Sequence, residues 1–145
     1  MSKNIISCRV ATTDDIAVIC SSIDERTFIP SFLERSIASS YCHVAVINGS
    51  LIVGYAVPDY SFYAQAFISM LYIHPSYRRQ GVGLTLMKYL QESVSSSSKK
   101  LFTSTNLSNQ PMQLLLAKLN FKMSGFIENL DEGDPELVYV KLLST

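Results

Sequence analysis

Met70-Leu71-Tyr72-Ile73-His74-Pro75-Ser76-Tyr77-Arg78-Arg79-Gln80-Gly81-Val82-Gly83 is the stretch on which the reading of this chain turns. Residues 67–73 are an apolar, aromatic and β-branched run that reads as a strand, stopped by His74-Pro75. Residues 83–94 carry Leu86, Met87, Leu90 and Val94 at helical spacing. A strand therefore feeds a helix through a loop holding two arginines and two glycines. Glycines let backbone amides approach a ligand, and the first turn of a helix offers free N–H groups and a partial positive charge of about half a unit. The segment reads as an anion site suited to phosphate, against the plainer reading of a glycine-rich connector. It is not a P-loop, because no Gly-Lys-Ser/Thr follows. Nor is it a dinucleotide fingerprint: the third glycine is missing, and Lys99 and Lys100 stand where an acid is needed.

On the N-terminal side, residues 5–10 read as a first strand, and Thr12-Thr13-Asp14-Asp15 supplies caps and acids for a helix carrying Ile16, Ile19, Cys20 and Ile23. A second helix is expected from Ser31, where Ser31 and Glu34 have capping-box spacing after Pro30 and Phe32, Leu33 and Ile37 give the apolar side. Residues 43–47 and 51–57 are strands flanking Asn48-Gly49, a pair that accepts the positive φ angles of a two-residue hairpin. Phe62 and Tyr63 fall in the loop before the central strand, where an acceptor wall and a dimer contact explain them equally. On the C-terminal side, the serines at 95–98 are a short link before a strand at 101–105, and Ser108 can cap a helix with Pro111 in its first turn. Residues 121–127 and 137–143 read as two closing strands. The alternation gives an α/β (α+β) fold in a single domain over residues 1–145: a mixed central sheet with helices on both faces.

Composition narrows the function classes. The chain has 145 residues, 48% of them hydrophobic, with 12 Lys+Arg against 12 Asp+Glu. A balanced charge gives no field for nucleic acid or an anionic membrane, and no apolar run approaches the ~18 residues of a membrane span. Cys8, Cys20 and Cys42 are odd in number and lack CxxC spacing, as expected of reduced thiols in a cytoplasmic protein. Neither His43 nor His74 has partners at metal-ligand spacing, so no metal is expected.

Residues 70–83 closely resemble the acetyl-CoA-binding motif of the GNAT (GCN5-related) N-acetyltransferases, including its Arg/Gln-x-x-Gly-x-Gly/Ala core. Residues 9–15 resemble that family's opening strand and helix start, residues 48–55 its hairpin, and residues 101–124 its second half, with Asn109 at the usual Asn position. The resemblance implies a three-layer fold with splayed central strands, here 67–73 and 101–105, and acetyl-CoA as co-substrate. It implies that amides of Gly81, Val82, Gly83 and Leu84 hold the pyrophosphate, with Arg78, Arg79 and Gln80 in the same loop. Leu71 to Ile73 would pair with the pantetheine arm, a backbone N–H near Ile73 would serve as oxyanion donor, and Asn109 would reach the pantetheine from the next helix.

The sequence departs from the pattern at the usual tyrosine general acid, where Leu116 stands, and at the Gly-Phe pair after it, here Asn120-Phe121. Tyr72, Ser108 and Tyr139 are the candidate substitute acids. No carboxylate stands in the strand 67–73, where some relatives keep a base. Asp131, Glu132, Asp134 and Glu136 form an acidic loop expected near the acceptor mouth, where it would favour a small cationic primary amine. Asp24, Glu25, Phe28 and Phe32 are expected on the other acceptor wall. The expected activity is transfer of acetyl from acetyl-CoA to a primary amine by direct attack. The alternatives are a non-catalytic acyl-CoA-binding module and an acetyltransferase for protein N-termini or lysines. A homodimer is compatible with all three.

Overall fold

A computed structural model describes residues 4–143. The elements run β1 (Ile6–Val10), α1 (Asp15–Ser22), α2 (Ile29–Ala38), β2 (His43–Ile47), β3 (Leu51–Phe62), β4 (Gln65–Ile73), a 3-10 turn (Pro75–Tyr77), α3 (Val82–Ser95), β5 (Lys100–Asn106), α4 (Gln110–Lys118), β6 (Lys122–Ile127) and β7 (Glu136–Leu142). Seven strands form one mixed, open sheet in the order β1-β2-β3-β4-β5-β7-β6. The β4–β5 ladder is parallel and short, from Ala66↔Leu101 to Ile68↔Thr103, although both strands run on. The expected α/β architecture is present, with the chain folding into two compact units.

The first unit holds the residues up to Pro58 and Met70–Tyr89. Asn48 and Gly49 take φ of 52° and 78°, and Ser50 N–H donates to Ile47 O, so the β2–β3 hairpin closes with the turn its sequence demands. Val44, Val46, Tyr55 and Val57 pack with Ile19, Ile23, Ile29 and Leu33 of the α1–α2 region. His43 points to the other face, where its Nδ1 lies 2.9 Å from the Tyr89 hydroxyl of α3. Helices therefore cover both faces here, because alternate residues of β2 are all apolar or paired.

Two capping expectations are corrected. Helix α2 begins at Ile29 with Pro30 in its first turn, and no side chain caps it; the Ser31/Glu34 box does not form because both residues already lie inside the helix. At α1, the Asp15 carboxylate accepts the Thr12 N–H at 2.7 Å and is held bidentately by Arg9 at 2.8 and 3.0 Å. The Arg9 hydrogen bonds hold the Asp15 carboxyl below the ordinary carboxylate range, outweighing its partial burial.

Burial pushes the pKa of His43 below its ordinary 6.5. The unfolded chain then binds more protons than the folded one just below that value. Stability contributed by neutral His43 is complete above pH 6.5 and lost as pH falls towards the lower folded value. We expect urea midpoints to drop between pH 7 and 5.5 in the wild type, and to drop less in His43→Gln.

The second unit holds Asp59–Ser69 and the residues from Leu90 on. Phe62 is the last residue of β3, and Tyr63 and Ala64 form a two-residue turn with φ of 53° and 60°; the loop expected around Phe62 is a tight hairpin. Phe62 packs on Phe67 and Phe102 at centroid distances of 4.9 and 5.4 Å, leaving Tyr63 84% exposed. Helix α4 is capped by Asn109, whose Oδ1 accepts the Met112 N–H, and not by Ser108. It ends with Asn120 at φ 66°, Asn120 N–H on Ala117 O and Phe121 N–H on Leu116 O. Asparagine thus fills the left-handed position that favours glycine, which explains the Asn120-Phe121 pair.

Candidate active site

The loop after β4 is held by its own side chains bonding back to its backbone. His74 Nδ1 accepts the Ser76 N–H at 3.0 Å, Arg78 Nε donates to Ile73 O at 2.9 Å, and Gln80 Nε2 donates to Ser76 O at 3.2 Å. Arg79 and Gly81 then take φ of 63° and 85°, turning the chain into α3, where Thr85 donates to Gly81 O through both N–H and hydroxyl. Arg78 at φ −73°, ψ 157° and Arg79 form a turn that closes on Gln80, and among the described residues no backbone hydrogen bond runs from the N–H groups of 81–84 to an acceptor within the chain. Four consecutive donors at the start of a 14-residue helix, with no Cβ at Gly81 or Gly83, fit a diphosphate. Arg78 and Arg79 are exposed beside them.

Upstream, β4 approaches β3 closely at Gly54. A Cβ there would meet Ile73 Cδ1 at 2.7 Å and Tyr72 O at 2.9 Å. Gly54→Ala must push Tyr72 and Ile73 outward. We expect it to lower unfolding free energy by about 1–3 kcal/mol in urea titrations and to weaken acetyl-CoA binding.

Beside Tyr72 lies a cavity of about 420 Å³, lined by Ser22, Ile23, Asp24, Glu25, Arg26, Tyr72, His74 and Pro75. Asp24 is 1% exposed and accepts from the buried Tyr55 hydroxyl at 2.7 Å and from Arg26 Nε and Nη2 at 2.8 and 2.6 Å. Burial by itself raises the Asp24 carboxyl, but the Arg26 and Tyr55 hydrogen bonds outweigh it and hold the group below its usual range. The Asp24 hydrogen bond keeps Arg26 charged, while burial pushes the Tyr55 phenol up. The guanidinium lies 5.0 Å from the Phe28 ring centroid and 5.2 Å from that of Tyr72, and Arg78 stands 5.4 Å from the same Tyr72 ring.

Of the expected acceptor wall, Asp24 and Glu25 line this cavity, Phe28 is half-exposed against Arg26, and Phe32 is partly buried in the helix core. Sequence reasoning missed Arg26 and Tyr55. The Asp24-x-Arg26 spacing was a local signal for the ion pair; Tyr55, 31 residues away, had none.

In the second unit, three of the four loop carboxylates are hydrogen-bonded. Asp131 accepts from Asn106 Nδ2 at 2.8 Å, Asp134 accepts the Ser108 N–H and hydroxyl at 2.9 and 2.6 Å, and Glu136 accepts the Ser104 hydroxyl at 2.6 Å. They tie the loop to the end of β5 and, through Ser108, to the segment that follows it, while Glu132 is exposed. Tyr139 is buried in β7, in register with Thr103 and Met123. Leu116 is fully buried.

A family model described as acetyltransferase (GNAT) family matches residues 12–121. The chain belongs to the GNAT acetyltransferase family. A Bacillus cereus acetyltransferase of the GNAT family is 29% identical, covers 97% of this chain and 99% of its own, and superposes with a TM-score of 0.82. The fold is shared with yncA of Salmonella typhimurium, solved with its cofactor acetyl-CoA, at 18% identity, 96% and 94% coverage and a TM-score of 0.76. Human cysteine-rich protein 2-binding protein is 30% identical over 86 residues, 58% of this chain but only 10% of that protein's length. A GNAT fold supports acetyl transfer in general, and the free N–H groups at 81–84 lie within the matched region. Among the described residues no helix is long and apolar enough to cross a membrane, and no group of three or more His, Cys, Asp or Glu is placed to hold a metal ion.

Proposed function

We propose that this chain is an acetyl-CoA-dependent N-acetyltransferase acting on a primary amine by direct attack. The observation that carries this reading is the run of free N–H groups at residues 81–84, one short turn after Tyr72 and Ile73 at the end of β4. Bound there, acetyl-CoA supplies an acetyl group activated as a thioester. Amides of Gly81, Val82, Gly83 and Leu84 bind the diphosphate, and Arg78 and Arg79 add charge. Leu71–Ile73 orients the pantetheine arm along the strand, and a backbone N–H near Ile73 donates to the carbonyl oxygen as negative charge builds on it. The attacking nitrogen must be neutral, so its proton leaves beforehand to water. Glu25, exposed in the wall of the cavity beside Tyr72, favours the approach of a cationic amine.

As the C–S bond breaks and the amide forms, the attacking nitrogen sheds its second proton to water and the departing thiolate takes one from an acid, which water then reprotonates; Leu116 cannot be that acid. Ser108 already donates its hydroxyl proton to Asp134 and Tyr139 is buried in β7, whereas Tyr72 borders the cavity. We assign the proton to Tyr72. Tyr72→Phe is expected to lower kcat by about 10²-fold with acetyl-CoA affinity unchanged, since acid assistance is worth roughly 10²–10⁴; binding calorimetry beside initial rates checks the split.

Leu116 favours a second reading, a non-catalytic acyl-CoA-binding module. Free thiol released from acetyl-CoA, measured with and without a panel of amines, separates the two. An enzyme gives amine-dependent release that rises with pH as the amine deprotonates. A module is stabilised by acetyl-CoA and releases none.

A further inference from the structure

We propose that the acceptor is a zwitterion, a primary amine carrying a carboxylate a few bonds away, with the carboxylate held by the outward edge of Arg26. The inference rests on the acetyl-transfer reading and narrows its substrate class. The starting point is an asymmetric ion pair: the side chain of Asp24 is 1% exposed and that of Arg26 47%. Asp24 lines the cavity with its carboxylate already held by Tyr55 and Arg26, so the exposed charged edge of the pair is that of Arg26. Arg26 spends Nε and Nη2 on Asp24, and Nη2 also lies 3.6 Å from Met70 Sδ. Nη1 takes no part in the pairing with Asp24.

The guanidinium is also held in plane. Phe28 and Tyr72 rings lie near it and Asp24 grips one edge, so its remaining N–H groups have a fixed direction and lose little freedom on binding an anion. A pre-oriented Arg edge beside an apolar ring is suited to a carboxylate. Exposed Glu25 lines the same cavity and supplies the opposite charge for an ammonium group. About 420 Å³ accommodates a group the size of one amino acid. A peptide N-terminus has an amide where this site asks for a carboxylate.

Two measurements test the proposal separately from catalysis. The first is binding of N-acetylalanine, N-acetylleucine and N-acetylphenylalanine, compared with their carboxamides, followed by the Arg26 Nε–Hε signal in ¹H–¹⁵N spectra. These carry the carboxylate but no reactive amine. The acids are expected to shift that signal and bind at least about tenfold more tightly than the amides, as one charge-assisted contact allows. Arg26→Gln should abolish the preference while keeping acetyl-CoA affinity, and Arg26→Lys should keep only part of it. Should neither variant fold, the wild-type comparison of acid with amide decides alone. The second is kcat/KM for the free amino acids against their amides and decarboxylated amines.

Equal binding of acid and amide, no binding of either, or faster turnover of amides or simple amines overturns the proposal. Selective acid binding without turnover of any amine leaves the Arg26 site standing and removes the acetyl-transfer reading instead.

Discussion

Asp24→Ala is expected to cost about 2–3 kcal/mol of unfolding free energy, which at this chain length lowers Tm by roughly 5–10 °C. The reasoning separates the two groups that lose their partner. The Tyr55 hydroxyl is wholly buried and donates to Asp24, so removing the carboxylate strands a buried donor, which typically costs about 1–3 kcal/mol. Arg26 is half-exposed and can turn to water, so its loss of partner adds less than an uncompensated buried charge would. Tyr55→Phe provides the control: it removes the donor together with its demand, leaves Asp24 on Arg26, and should cost only about 1 kcal/mol. A Tm for Asp24→Ala within a degree of Tyr55→Phe contradicts this account of the network. The Asp24 carboxyl lies below its usual range, so its contribution is complete above pH about 4 and fades as pH falls further.

Gly81→Val is expected to weaken acetyl-CoA binding at least about 100-fold with a much smaller loss of stability. Gly81 has φ of 85°, a region that costs a β-branched residue roughly 1–3 kcal/mol, although open space surrounds the position where a Cβ would stand. The chain escapes that cost by rotating the 79–82 segment. Rotation redirects the N–H groups proposed to hold the diphosphate. Gly81→Ala should lose less affinity. Calorimetric titration with acetyl-CoA, alongside urea unfolding of each variant, separates lost binding from lost folding. Wild-type affinity in Gly81→Val would show that the loop does not cradle the diphosphate.

Much of this is legible in the sequence, and the reasons are local. Asn48-Gly49 fixes a hairpin because two adjacent positive φ angles admit few residue types. The 70–83 stretch declares a strand, a turn and a helix start by Pro and Gly positions. Leu86, Met87, Leu90 and Val94 mark the buried face of α3 by spacing alone. The misplaced details share one cause, competition among several residues able to do the same job. Ser31 could cap, yet Pro30 at the first turn starts α2 earlier. Ser108 could cap, yet Asn109 does, because Asp134 takes the serine from 26 residues away. The acidic loop shows the same limit: its charge was countable, but the hydroxyl and amide partners of Asp131, Asp134 and Glu136 lie in β5 and the segment after it. The Asp24–Tyr55 contact is likewise set by packing α1 against β3.

The most direct test of acetyl-CoA dependence is thermal unfolding with and without acetyl-CoA at about 100 times its Kd, where linkage gives about 2.7 kcal/mol of stabilisation. The account predicts a Tm rise of roughly 5–10 °C for the wild type and little for Gly81→Val. An unchanged Tm at saturating acetyl-CoA would contradict it, removing the transferase and the acyl-CoA module together.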